Sequence, residues 1–191
     1  MKTRESGMPD EERWSTFFDA PAILRKLGLS VDADGVVEFG CGYGTFTLPA
    51  ARLCRDILHA FDIEPAMVER VRGKAEREGF TNIVCQVRDF ISDGTGLLDG
   101  VADYAMLFNI LHAECPEVLL REARRVLRPG GRLGIIHWRY DPSTPRGPSM
   151  SIRPRPEQLR AWAESEGFRD LAGDVIDLPP HHYGLLMGLV Q

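Results

Sequence analysis

The chain has 191 residues, 43% of them apolar and 27% charged, with a formal net charge of −5. That length supports one domain with a sizeable core, and the composition is ordinary for a globular protein. A nucleic-acid groove binder needs clustered cations to displace phosphate counterions. The net negative charge and dispersed basic residues argue against one, with Arg121/Arg124/Arg125/Arg128 and Arg153/Arg155 reading as a solvated helix face and a loop.

In chain order, residues 1–13 are polar and acidic, with Gly7 and Pro9, and are expected to be mobile at their start. Trp14, Phe17 and Phe18 form an aromatic cluster, and 22–28 reads as a helix ended by Gly28. That segment either packs on a sheet edge or closes over a ligand. Residues 35–39 have the length and apolarity of a buried parallel strand. Three glycines follow, Gly40, Gly42 and Gly44, and then a helix over 48–54 with Pro49 near its start. A second strand over 57–61 ends at Asp62. Pro65 opens a helix to about 78, stopped by Gly79. A third strand spans 82–87 and ends at Arg88-Asp89-Phe90, before a Gly/Asp-rich loop over 92–100. A fourth strand, 101–108, runs into Asn109-Ile110-Leu111-His112.

Pro116 opens a helix whose Leu119, Ala123, Val126 and Leu127 keep a helical period, closed by Arg128-Pro129-Gly130-Gly131. A fifth strand covers 133–138. Prolines at 142, 145, 148, 154 and 156 make 141–156 an extended loop. A helix over 157–166 and two strand candidates, 168–176 and 182–190, complete the chain. No helix fits between those two strands, so they should pair antiparallel. Strand–helix alternation with short connections predicts an α/β fold: a three-layer, Rossmann-like, mostly parallel sheet covered on both faces. Residues 1–30 read as an N-terminal helical cap segment and 31–191 as the main unit of a single domain.

Cys41, Cys54, Cys85 and Cys115 show no C-x-x-C spacing, so neither a zinc nor a thioredoxin-like site is indicated. No apolar stretch follows the basic start, and no run approaches transmembrane length. A reduced, cytoplasmic protein without membrane insertion is the expectation. His181-His182 have a metal-like look but no third ligand at matching spacing.

In an open α/β sheet, ligands bind beyond the carboxyl ends of the strands. The polar residues there are the three glycines, then Asp62, Asp89, Asn109 and His112, and finally His137, Arg139 and Tyr140. A strand that stops at a glycine turn and feeds a helix presents unobstructed backbone N–H groups. An acid about 20 residues past such a loop is the ribose-binding position of dinucleotide sites, and Asp62 fits it. The nicotinamide fingerprint wants its third glycine one residue later than Gly44. Glu38, inside the first strand, would repel a pyrophosphate and welcome a cationic amine or sulfonium.

At these residues the sequence resembles the class I S-adenosylmethionine-dependent methyltransferases, nearest the ubiquinone/menaquinone-biosynthesis (type 11) group. Val36 to Thr45 is similar to their motif I, and Phe61 to Met67 to their second-strand motif. Arg88-Asp89-Phe90, Asn109 to His112 and Leu120 to Gly131 resemble the later motifs in order. The resemblance implies a seven-stranded sheet with a final antiparallel strand. It implies S-adenosylmethionine as cofactor, held by Glu38, Gly40, Gly42, Gly44, Asp62 (ribose), Ile63 (adenine face), Asp89 and Phe90 (adenine) and Asn109 (methionine end). The implied reaction is methyl transfer to a small-molecule acceptor, in which the cofactor carries the hard chemistry and the protein aligns the reactants.

A hydroxyl or thiol acceptor would make a base useful. His112 and His137 are the candidate catalytic residues, with structural histidines as the alternative. Tyr43 and the aromatic cluster either face the sulfonium or pack in the core. A nicotinamide oxidoreductase and a non-catalytic S-adenosylmethionine-binding protein are the competing functions; the former lacks a lysine near Tyr140 to make a Tyr/Lys pair. The acceptor, the roles of 1–20 and 139–156, and the oligomeric state are not legible.

Overall fold

The computed structural model describes residues 9–190. Residues 1–8, where the mobile start was expected, and Gln191 lie outside the described residues.

Five strands form the parallel body of the sheet: β1 (Ala33–Phe39), β2 (Cys54–Asp62), β3 (Ile83–Val87), β4 (Ala102–Phe108) and β5 (Leu127–Trp138). β6 (Phe168–Asp170), β7 (Ile176–Leu178) and β8 (His182–Leu189) add antiparallel partners at one side. The strand order is β3-β2-β1-β4-β5-β8-β6, with β7 also on β8. From β1 the chain builds outward through β2 and β3, then returns to lay β4 on the other side of β1. The reversal leaves a crevice between the carboxyl ends of β1 and β4, where open α/β sheets bind ligands.

The helices are α1 (Glu11–Ser15), α2 (Ala20–Lys26), α3 (Thr47–Ala51), α4 (Pro65–Arg77), α5 (Pro116–Val126) and α6 (Pro156–Ser165). Proline stands in the first turn of α4, α5 and α6, where its missing N–H costs nothing. Asp10 and Asp19 cap α1 and α2 through their side chains. Strand alternation sorts the core into two layers. Val36, Tyr104, Met106 and Ile136 face α2, α3 and α4, while Val37, Phe39, Ala105, Leu107 and Ile135 meet the buried stripe Leu119/Leu120/Ala123/Val126 of α5.

The sheet has eight strands where seven were expected. The predicted 168–176 strand is interrupted: Leu171 still donates to the Leu186 carbonyl of β8, but the Asp170 carboxylate turns onto the Ala172 and Gly173 amides and 172–175 loop out before β7. α3 is also shorter than expected, and α1 adds a short helix to the N-terminal segment ahead of the one expected over 22–28. No helix among the described residues is long and apolar enough to cross a membrane.

Candidate cofactor and acceptor site

The glycine turn that follows β1 is tied to β2 by two amides, Gly40 and Cys41, that share the Phe61 carbonyl at 2.8 and 2.9 Å. Gly40 and Gly44 both sit at φ +80°, in the left-handed region. A Cβ on Gly44 would lie 2.9 Å from Leu48 and 3.1 Å from Val71, so the loop depends on its absence. Asp62, at the end of β2, lies beside this turn. Its Oδ2 accepts the Gly42 N–H at 2.8 Å and its Oδ1 accepts the Glu64 N–H at 2.9 Å. Burial raises the Asp62 carboxyl above its ordinary value, against the lowering by these two amides. An ionised carboxylate offers about four lone-pair sites. The two oxygens of Asp62 therefore retain capacity for a ligand's hydroxyls.

Glu38 is 3% exposed and its Oε2 accepts the Thr47 hydroxyl at 2.5 Å. Burial, opposed by Thr47 and assisted by the nearby Asp62 charge, pushes its carboxyl up to about 8. Burial likewise raises the Cys41 and Cys85 thiols, the latter to about 12, so neither supplies a thiolate at neutral pH. Across the crevice, Asn109 adopts φ +58°, the single positive φ among described non-glycine residues. Its N–H donates to the Ile136 carbonyl at 2.7 Å, while its buried Oδ1 has no hydrogen-bond partner. Strained backbone with an orphaned polar atom is a mark of a binding site.

Ile63 follows Asp62, half-buried. Asp89 stands at the end of β3, where its carboxylate accepts the Ile91 and Ser92 amides and the Ser92 hydroxyl. The Phe90 ring meets Phe39 edge-on at 5.5 Å. A groove of about 620 Å³ along α5, lined by Phe90, Val118, Leu127 and Leu189 among others, shares only Phe90 with the predicted site residues. His112 and His137 are brought together at the ends of β4 and β5, ring centroids 5.5 Å apart. His137 is wholly buried and its Nε2 is unpartnered. Burial, with His112 and Arg153 adding to it, holds its imidazole well below the ordinary value.

The N-terminal aromatics lie over the same end of the sheet. Phe17 meets Trp138 at 5.6 Å, Phe18 meets His182 at 4.5 Å, and Trp14 meets Trp138 at 6.4 Å. Tyr43 turns instead toward α4, with the Arg70 guanidinium 5.3 Å from its ring centroid, and its hydroxyl donates to the Pro9 carbonyl. Among the described residues no group of three His, Cys, Asp or Glu side chains could hold a metal ion.

Sequence reasoning missed Arg153. Taken for a solvated loop residue, it is 7% exposed and ties 139–153 into one body. It donates to the carbonyls of Arg139, Asp141, Arg146 and Pro148 and to the Thr144 hydroxyl. Carbonyl partners leave no side-chain pattern, so nothing in the sequence marks it.

Residues 36–131 match the model of the methyltransferase domain family. The chain belongs to that family. A methyltransferase of this type draws on S-adenosylmethionine, and the residues present fit that cofactor: two buried acids beside the glycine turn, glycines without Cβ, and the Asn109 Oδ1 without a protein partner. The ubiquinone biosynthesis O-methyltransferase of Xanthomonas oryzae pv. oryzae is 32% identical over 117 residues, covering 59% of this chain and 47% of that protein. The ribosomal protein L11 methyltransferase of Dechloromonas aromatica is 33% identical over 104 residues, covering 54% of this chain and 32% of that protein. The chain thus spans less than half the length of these curated relatives. A SAM-dependent methyltransferase of Aquifex aeolicus superposes with a TM-score of 0.81 at 22% identity, covering 95% and 94% of the two chains. This shared fold is the class I methyltransferase sheet.

Proposed function

We propose that this chain transfers the methyl group of S-adenosylmethionine to a small-molecule acceptor held at the ends of β4, β5 and β8. The observation that carries the reading is the crevice between β1 and β4. One wall is the glycine turn with Asp62 and Glu38; the other is Asn109, with its buried Oδ1 open to a ligand. When bound, the cofactor supplies an electrophilic methyl on a sulfonium. Asp62 would hold the ribose hydroxyls, Ile63 and Phe90 the adenine faces, Asp89 the adenine edge, and Asn109 and Glu38 the methionine end. His112 and His137 would contact the acceptor.

The chain's contribution is alignment and exclusion of water, which can lower a barrier by about 7–11 kcal/mol. Trp14, Phe17, Phe18 and Trp138 roof the acceptor end with apolar surface, which supports an organic acceptor. The net charge of −5 supports a small molecule over a nucleic acid. The two curated relatives differ in the acceptors their names carry, so the sheet by itself does not fix the acceptor.

The test is incubation with methyl-labelled S-adenosylmethionine and a whole cell extract, followed by identification of the labelled product. Label in a small organic compound supports the reading. Label confined to protein or nucleic acid overturns the acceptor class. Cofactor binding without any label transfer favours the non-catalytic alternative.

A further inference from the structure

Two carboxyl groups are buried on neighbouring strands at the cofactor end of the sheet. Glu38, on β1, is 3% exposed, and Asp62, on β2, is 6% exposed. Strand alternation places both on the face that carries Val36 and Ala60 and that α3 and α4 cover. The two are not equivalent. Asp62 accepts the Gly42 and Glu64 amides, and hydrogen bonds of that kind favour the ionised form. Glu38 accepts the Thr47 hydroxyl and, among the described residues, nothing else. An ionised Glu38 would put a second negative charge in an apolar interior beside Asp62, and a buried charge without a partner neutralises instead. Burial, with the Asp62 charge adding to it, lifts the Glu38 carboxyl to about 8, against the lowering by Thr47.

Among the described residues no lysine, arginine or histidine side chain bonds to either acid. The cations of α4 are engaged elsewhere. Lys74 pairs with Glu11 and donates to the Tyr43 carbonyl, Arg72 pairs with Glu69 and donates to the Cys85 carbonyl, and Arg70 pairs with Glu11. Glu64, just ahead of α4, adds negative charge beside Asp62. On the β4 side the register partner of Glu38 is the apolar Met106. Cys41 and Cys85, which also feel Glu38, are held as neutral thiols.

We propose that Glu38 releases its proton to solvent as the cationic methionine end of the cofactor binds, so that cofactor affinity is governed by pH through this residue. The inference rests on the methyltransferase reading and names a regulation of that same site. The ligand's ammonium brings the positive charge that the surrounding protein lacks, and an opposite charge beside a carboxyl favours its ionised form. The proton passes from the carboxyl to the buffer, no other bond is made or broken, and carboxylate and ammonium then balance. Thr47 donates to Oε2 and acts as a positioning residue that eases the ionisation. The sign follows from linkage. Below about pH 8 the free protein must lose a proton in order to bind, so affinity falls about tenfold for each unit by which pH falls. Above that value the proton is already gone and this dependence ends.

The test is calorimetry of S-adenosylhomocysteine, which carries the same ammonium, on the whole chain in buffers of different ionisation heat. Below about pH 7.5 the ligand's amine stays protonated, so a released proton comes from the protein. About one proton should leave per ligand bound near pH 6.5, and affinity should rise about tenfold per unit between about pH 5.5 and pH 7.5. Glu38→Gln keeps the shape of the neutral side chain, so it should bind with no proton released and with that slope lost. Thr47→Val, a second variant that retains the acid, holds the Glu38 proton more tightly. It should release the same proton and bind more weakly than the parent across the range; affinity equal to the parent's contradicts the proposal. Binding without proton release in the parent, or equal release in Glu38→Gln, also overturns it and leaves the methyltransferase reading standing. Failure of the folded parent to bind S-adenosylhomocysteine at any pH would count against that reading itself.

Discussion

Asp62 and Glu38 are two acids on neighbouring strands with different tasks. Asp62 is held by two backbone amides and retains lone pairs that the proposed ribose contact would use. Asp62→Ala removes charge-assisted bonds worth about 1.5–3 kcal/mol, so S-adenosylhomocysteine affinity should fall by about one to two orders of magnitude in calorimetry. Unchanged affinity would refute the ribose role. Glu38 holds its proton when folded up to about pH 8, against an ordinary value of 4.5. Between those two pH values the folded state binds a proton that the unfolded state does not, so this residue's contribution to stability falls as pH rises through that window. Glu38→Gln removes the penalty. Its melting temperature relative to the parent should rise between pH 5 and pH 9. A constant difference across that range would show that Glu38 does not titrate there. Neither task could be read from the sequence in full. The place of Asp62 beside the glycine turn was legible because its position at the end of the second strand carries it, but the Thr47 hydroxyl on Glu38 comes from a helix folded back over β1.

At the scale of elements, α1 acts as a strap across the glycine turn. Glu11 pairs with Arg70 at 2.7 Å and with Lys74, Lys74 also donates to the Tyr43 carbonyl, and the Tyr43 hydroxyl holds the Pro9 carbonyl. Partly exposed ion pairs are worth at most about 1 kcal/mol each. Glu11→Ala should therefore leave the melting temperature almost unchanged, while amide exchange in α1 and the dissociation rate of S-adenosylhomocysteine increase. Equal exchange and equal off-rate would show that the strap does not restrain the turn. The sequence could not announce α1, because a five-residue helix has little period of its own and draws its hold from α4 and Trp138. The longer elements were legible for the opposite reason. Apolar runs end at glycine or proline for β1, α4 and α5, and the α5 stripe repeats over eleven residues. The loop over 139–153 was illegible because its organiser, Arg153, bonds mostly to backbone.

For the molecule as a whole, the parallel sheet depends on Gly134 of β5 leaving room for the Tyr104 ring of the adjacent β4. Tyr104 donates to the Leu27 carbonyl at 2.7 Å and lies over Gly134. A Cβ at 134 would run into the Tyr104 hydroxyl. Gly134→Ala should destabilise the fold by about 1–3 kcal/mol in denaturant unfolding. A Tyr104→Phe/Gly134→Ala double variant should recover part of that loss, less the cost of an unpaired Leu27 carbonyl. Additive losses would place the strain elsewhere. The strand order puts every proposed contact at one sheet edge, with acids at the cofactor end and imidazoles with Arg153 at the acceptor end. Fold class could be foreseen, and so could the gathering of the proposed cofactor residues at one end of the sheet, since strand-end residues follow from chain order. The burial of Arg153 and His182 at the other end could not, because they reach it only through the loop and the antiparallel return of β8.

The central claim is that the crevice between β1 and β4 holds S-adenosylmethionine. Thermal unfolding with increasing S-adenosylhomocysteine tests it most directly, because a ligand that binds only the folded state stabilises by about 2.7 kcal/mol at a hundredfold excess over its dissociation constant. The account predicts a dose-dependent rise in melting temperature that is largely lost in Asp62→Ala. No rise at millimolar ligand, or an undiminished rise in that variant, would contradict it.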